Sequence, residues 1–301
     1  MLGKGILPFF DIHMKNKQYI QAWLLLLPAL ILLAGFTHIP TIKTIWRSFF
    51  SLGENTDIGF VWDNYEFLII DDVLWQVLGN SFWYLVITVP ASIVIALAMA
   101  MWINRHMPGR SLLRLSYFTP TVLPMISVAN IWLFFYSPEI GLLNSILGLF
   151  GHEGYNWLGD PDLALYSVMA MTIWKEAGFF MIFYLAALLG IRPDLYQAAR
   201  VEGSSEANIF FRITLPLLMP TTLFILVNAI LNAFKMVDHL FILTKGGPNN
   251  ASNLLLYYIY ENAFSFFETS YAAALTVLLL AILVILAVMQ FGVLERRIHY
   301  R

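Results

Sequence analysis

Six runs of predominantly apolar residues, each about 20 residues or longer, constrain this chain more than any other feature. They cover residues 22–42, 77–103, 115–136, 163–189, 215–237 and 271–291. A helix of that length crosses the ~30 Å hydrocarbon core of a bilayer, where an isolated strand or loop would leave its backbone groups unpaired. A large soluble helical core is the alternative, but its helices would carry polar faces, and residues 275–289 carry almost none. The 301 residues are 59% hydrophobic and 12% charged, and a water-exposed surface needs more charge than that to cover it. The reading is an all-α integral membrane protein with about six transmembrane helices.

Lys15 and Lys17 precede the first run as the basic region of a secretory signal would. The run is long, however, and no small-x-small cleavage site follows Phe36, so it reads as a permanent first helix. The absence of Cys excludes disulfides and thiolate metal ligands. A formal net charge of −2 provides no basic stripe for phosphates, which excludes nucleic acid as a partner. His13, His38, His106, His152, His239 and His299 are scattered over both sides and form neither a metal set nor a catalytic constellation, so the chain reads as a non-enzyme.

Charge sorts the loops into two classes. One side holds Lys4, Lys15 and Lys17, then Arg105, Arg110 and Arg114, then Arg192, Arg200 and Arg212, and finally Arg296, Arg297 and Arg301. The other side has Arg47 and Lys245 among many acids, such as Asp71, Asp72, Glu139, Asp160, Glu261 and Glu268. Basic loops stay cytoplasmic, so the alternation predicts six spans with both termini inside. It divides the chain into a cytoplasmic segment 1–21, a transmembrane domain 22–293 containing a cytoplasmic loop 190–216, and a basic tail 294–301. The outer segments 47–76, 137–162 and 244–270 are long, acidic and aromatic-rich.

The loop 190–216 reads GIRPDLYQAARVEGSSEANIFFRITLP. Pro193 suits the first turn of a helix, and Asp194 places negative charge at its positive end. Residues 195–201 are good helix formers, and Gly203 supplies the left-handed residue that stops a helix. Ser204 is the expected cap of a second short helix, with Glu206 in its first turn. The product is a helix–Gly–helix elbow at the cytoplasmic surface, where small Ala198 and Ala199 would let a partner's groove approach closely.

This stretch resembles the EAA loop of bacterial binding-protein-dependent ABC importers: Glu-Ala-Ala, three residues to a Gly, then about nine more to Ile-x-Leu-Pro. Here the pattern is Gln197-Ala198-Ala199, Gly203 and Ile213-Thr214-Leu215-Pro216. Gln197 stands where the family has Glu, and Glu202 where it has Asp. The segment Leu243-Thr244-Lys245-Gly246-Gly247-Pro248 resembles the stretch before the last helix of the maltose and glycerol-3-phosphate type permeases. Trp174-Lys175 with Gly178, and Tyr184-Leu185-Ala186-Ala187-Leu188, fit the same group.

The resemblance implies the type I, MetI-like permease fold of a bacterial inner membrane, and import of a sugar or sugar-like solute, with or without a phosphoryl or sulfonyl group. It implies that Asp194, Gln197, Ala198, Ala199, Glu202, Gly203, Ser204, Leu215 and Pro216 couple the chain to a separate ATPase through the loop 193–212. The implied partners are a second homologous permease, an ATPase dimer that binds ATP and Mg, and an extracytoplasmic solute-binding protein landing on the outer loops. No stretch fits G-x-x-x-x-G-K-[ST], so the chain lacks a phosphate-cradling loop of its own, and no cofactor is expected on it.

Polar residues at bilayer depth usually face a bundle interior or a water-filled path. The candidates are Asn130, Lys175, Glu176, Asn228, Asn232, Lys235 and Asp238. Asn228, Asn232 and Lys235 share one helix face at i, i+4 and i+7, while adjacent Lys175 and Glu176 must point apart. Asn228, Asn232 and Lys175 are expected to line the translocation path, and Lys235 to pair with Asp238 three residues on. Plain helix–helix hydrogen bonding, about 0.6 kcal/mol per bond, is the competing role. Pro28, Pro40, Pro90, Pro120 and Pro124 permit kinks within the spans. A carrier driven by an ion gradient is the alternative function; it would predict paired broken helices from an internal repeat.

Overall fold

In the computed structural model, which describes residues 16–50, 60–104, 109–290 and 292, every regular element is a helix. The tail 294–301, most of the segment 1–21, and the charges at Lys4, Lys15, Arg105, Arg296, Arg297 and Arg301 lie outside the described residues.

The first span begins as α1 (Asn16–Leu33) and continues through a wide turn, Ala34–His38, into α2 (Ile39–Arg47). Pro40 has no N–H for a normal helical bond, and the chain relaxes by bonding Ile39 N to Ala34 O, five residues back. Trp23, Leu25 and Phe36 are exposed along it, which suits a helix surrounded by lipid. After the short α3 (Asp63–Ile70), Asp71 turns extended and α4 (Asp72–Asn104) crosses in 33 residues. Asp71 fixes this corner: its Oδ1 accepts from Val73 N and Leu74 N at 3.0 and 3.2 Å, capping α4.

The third span departs from expectation. Residues 115–136 do not form one straight helix but α5 (Arg110–Val122) and α6 (Met125–Phe135), bent by 104°. Two prolines cause this. Pro124 cannot donate to the Pro120 carbonyl, and it forces the preceding Leu123 out of the helical region to φ −74°, ψ 137°. Among the described residues five other helices are long and apolar enough to cross, and the bent pair makes up to six.

The outer loop carries α7 (Leu142–Leu149), and α8 (Pro161–Gly190) follows, with Asp160 accepting from Asp162 N at 2.9 Å as its cap. Next come the short helices α9 (Pro193–Val201) and α10 (Glu206–Ile209), then α11 (Leu215–Lys235), α12 (Asp238–Leu243), α13 (Leu255–Tyr260) and α14 (Thr269–Met289). The centre of the molecule is the long pair α4 and α8, with α5 and α11 against them. Fully buried Ala96 and Ala100 on α4 keep the backbones close, while Tyr84, Phe180, Met181 and Tyr184 fill the space between.

The Gly-Gly-Pro segment forms a tight loop against the outer end of α4. Asn80 Nδ2 donates to the carbonyls of Asn250 and Asn253 at 2.8 and 3.1 Å, and Leu255 N donates to Ser81 Oγ at 3.0 Å. Tyr258 donates to Asp71 Oδ2 at 2.7 Å, and Tyr271 donates to the same oxygen, joining α13 and α14 to the start of α4. Burial pushes the Tyr258 hydroxyl above its ordinary range, and the bond to the Asp71 carboxylate adds to this because it needs the proton in place.

Candidate functional site

At the elbow, Pro193 opens α9 and Asp194 lies in its first turn, where Arg192 Nη2 donates to it at 2.9 Å. The helix ends in a Schellman turn: Gly203 N bonds Arg200 O at 3.0 Å, Ser204 N bonds Ala199 O at 2.9 Å, and Gly203 sits at φ +78°. Ser204 is thus spent on closing α9. The cap of α10 is Ser205 rather than Ser204, its extended backbone letting Oγ accept from Asn208 N at 3.3 Å. Glu206 lies in the first turn, as expected, and accepts from Arg200 Nε at 3.0 Å across the bend.

Ala198 and Ala199 do not share a side. Ala199 is buried against the body with half-buried Tyr196, whereas Ala198 lies exposed between Leu195 and Val201, with Asp194, Gln197 and Glu202 also exposed. Val201, the last residue of α9, is 88% exposed, a large apolar side chain that the rest of the chain leaves uncovered. The elbow is joined directly to two spans. Arg192 follows the end of α8 by two residues, and α10 passes through a wide turn, Phe210–Thr214, into α11, whose first residues are Leu215 and Pro216. From Glu206 onward the elbow thus forms one continuous helical path into α11.

Within the membrane, Asn232 Nδ2 donates to Glu176 Oε2 at 3.0 Å, tying α11 to α8. These two groups line a cavity of about 10 Å³ together with Thr88 and Ser92 of α4 and Thr172 of α8. That volume holds about one water. Beside the cavity, Tyr84 donates to Thr172 Oγ1 at 2.8 Å and stands 3.3 Å from Nε2 of the fully buried His239. Thr88, Ser92, Thr172, Tyr84 and His239 were not among the sequence candidates. Tyr84 and Thr88 at i, i+4 were a visible signal, but hydroxyls in a span more often bond their own backbone, as Thr88 also does to Tyr84 O.

The expected path residues are not brought together. Lys175 turns from Asn232 toward the bend of the third span, where Nζ donates to Pro120 O and Leu123 O at 3.0 and 2.8 Å. Asn228 is half-buried and donates back to Phe224 O at 2.7 Å; Asn130 is exposed and donates to Ile126 O at 2.9 Å. Lys235 and Asp238 are both exposed and do not pair: α11 ends at Lys235, Met236 turns to φ −85°, ψ 105°, and the i, i+3 spacing no longer lies on one helix. Among the described residues no cluster of His, Asp or Glu could hold a metal ion.

Comparison with known proteins places these features in context. The family model described as binding-protein-dependent transport system inner membrane component matches residues 92–300. The sulfoquinovosyl glycerol transport system permease protein SmoG of Agrobacterium fabrum is 33% identical over 268 residues, covering 87% of this chain and 86% of that protein. The trehalose/maltose transport system permease protein MalF of Thermococcus litoralis is 30% identical over 79% of this chain and 82% of its own length. The sn-glycerol-3-phosphate transport system permease protein UgpA of Agrobacterium fabrum is 29% identical over 93% of this chain and 97% of its own length. A crystal structure of a bacterial ABC transporter importing the acidic polysaccharide alginate shares the fold, with a TM-score of 0.82 at 23% identity over 93% of this chain and 96% of that one. The same kind of transporter with its pentasaccharide-bound periplasmic protein superposes with a TM-score of 0.80 at 25% identity over the same shares.

Proposed function

The chain belongs to the binding-protein-dependent transport system inner membrane component family, and from that premise we propose a role for each of its parts. It is a multi-pass permease subunit of an ABC importer, which replaces the alternative of an ion-gradient-driven carrier. The proposed cargo is a sugar or sugar-like solute, the class named for several relatives. The chain works in a bacterial inner membrane beside a second permease and receives solute from an extracytoplasmic binding protein on its outer loops. ATP and Mg are bound by an ATPase dimer, not by this chain.

The observation that carries the coupling role is the exposed face of α9. Leu195, Ala198 and Val201 present apolar surface to the cytoplasm, framed by Asp194, Gln197 and Glu202, on an elbow continuous with α11. A hydrophobic face left in water on a rigid lever is suited to a cleft in a nucleotide-driven partner. Closure of the ATPase dimer would swing the elbow, draw α11 off α4 and α8, and open the space now closed around Glu176, Asn232, Thr88, Ser92 and Thr172. Those side chains offer donors and acceptors to hydroxyl groups. Lys175 directs two of its donors to backbone carbonyls at the α5–α6 bend and does not line this space.

The test is uptake by the co-expressed importer in proteoliposomes, with maltose, sn-glycerol-3-phosphate and sulfoquinovosyl glycerol as separate probes. ATP-dependent accumulation of one of them, lost in Ala198→Trp together with co-purification of the ATPase, is the expected result. ATPase retention by Ala198→Trp would remove α9 as the docking face. Accumulation without ATP would remove the importer reading.

A further inference from the structure

Two helix breaks meet at one dipeptide. The first separates α5 from α6 at Leu123–Pro124; the second separates α11 from α12, where Met236 leaves the helical region after its N–H bonds Asn232 O at 2.9 Å. The segments beyond the breaks, α6 and α12, pack against each other. They share a core in which Met125, Val128 and Ala129 of α6 join Leu240 and Leu243 of α12. The outer halves of the two broken elements thus form one packed unit, hinged at two points.

Both hinges are held from α8. Lys175 supplies donors to two of the carbonyls that the first break leaves without helical partners: Pro120 O, because Pro124 has no N–H, and Leu123 O, because α6 begins its ladder only with Val128 N on Pro124 O. Glu176, the next residue, accepts from Asn232, whose own carbonyl receives the last bond of α11 before the second break. Two adjacent residues on a helix point about 100° apart, so one dipeptide reaches two neighbouring elements at the same depth. Lys175 is buried and, among the described residues, has no carboxylate within 4 Å, so its Nζ donors go to backbone oxygens.

We propose that Lys175 and Glu176 are positioning residues that transmit movement of the elbow to the outer half of the molecule. The elbow moves α11; α11 pulls Glu176 through Asn232; Lys175, fixed on the same turn of α8, reorients the α5–α6 bend and with it the α6–α12 unit. Transport then alternates because the inner and outer ends are tied to the same point of α8. This rests on the importer reading above.

The experiment uses the complete importer in proteoliposomes and measures ATP hydrolysis stimulated by solute-loaded binding protein, as a maximal rate and a half-saturating concentration. Wild type, Lys175→Met, Lys175→Arg, Glu176→Gln and the Lys175→Met/Glu176→Gln double variant are compared. Lys175→Met should lower the maximal stimulated rate at least tenfold while leaving the half-saturating concentration within twofold. Lys175→Arg, whose guanidinium retains donors for both carbonyls, should keep at least half of the wild-type rate. The double variant should be no worse than the poorer single variant within a factor of two, since Lys175→Met cuts and Glu176→Gln weakens the same linkage.

A Lys175→Met importer stimulated like wild type would overturn the proposal. So would losses that multiply in the double variant, or a raised half-saturating concentration at unchanged maximal rate, which would put Lys175 on the path instead. If Lys175→Met does not assemble, Lys175→Arg decides: an assembled complex stimulated to less than a tenth of wild type would overturn the proposal, and one above half would support it. Absence of any stimulation in the wild type would instead count against the importer reading itself.

Discussion

Gly178 of α8 lies so close to Tyr117 of α5 that a Cβ on it would overlap the Tyr117 carbonyl oxygen. Backbone blocks the space, and backbone cannot swing aside as a flexible side chain would. This contact fixes α5 against α8 three residues from Lys175, beside the bend that Lys175 holds.

Gly178→Ala should therefore separate α5 from α8. Overpacking of this kind costs about 1–3 kcal/mol. The expected outcome is a lower melting temperature of the purified complex and a reduced rate of solute uptake, with Gly178→Leu worse than Ala. A Gly178→Ala complex with unchanged thermal unfolding would mean that α5 relaxes freely.

Gly203 holds the elbow at φ +78°, and a Cβ there would meet nothing within 4 Å, so the constraint is conformational rather than steric crowding. Gly203→Val forces a β-branched residue into the left-handed region, at about 1–3 kcal/mol. Co-purification of the ATPase should weaken, and uptake should fall more than chain abundance on a membrane blot. Gly203→Asn, which tolerates that region, should retain most of both.

Asp71 ties three elements together through its cap on α4 and the hydroxyls of Tyr258 and Tyr271. Asp71→Ala removes the cap and leaves two buried hydroxyls without an acceptor, about 1–3 kcal/mol for each unsatisfied group. Heat-induced aggregation should begin at lower temperature. Tyr258→Phe removes one donor only and should shift the onset less.

Asn232→Ala leaves the Glu176 carboxylate in the bundle without its amide donor. Uptake should drop about tenfold or more because the tie from α11 to α8 is cut, and replacing Glu176 by Gln in the same chain should restore the yield of assembled complex, since the unpaired charge is gone, without restoring the rate per complex. The check is complex yield beside initial uptake rate normalised to assembled complex. A rate per complex that recovers in the paired variant would show that the unpaired charge, and not the lost tie, causes the loss.

Much of this protein follows from local properties of the chain. The spans are legible because a bilayer demands about 20 apolar residues in one helix, and sidedness because basic residues stay inside. The elbow is legible because Pro193, Gly203 and the Leu215-Pro216 step act on their own backbone, wherever the rest of the molecule lies. Pro120 and Pro124 marked a kink in the third span, but neither its size, 104°, nor the donation from Lys175 of another helix to its carbonyls could be read from them. The partners of Lys175, Glu176, Asn232 and Lys235 were not legible either. Helical spacing gives the face on which a side chain stands, while the helix that faces it is set by long-range packing around α4 and α8. For the same reason Ala199 turned inward while Ala198 stayed out, and Ser205 replaced Ser204 as the cap once Ser204 had closed α9. Sequence alone determined what crosses the membrane and where the elbow bends; the tertiary structure decided which buried polar groups meet, because each must find a donor or acceptor where no water can supply one.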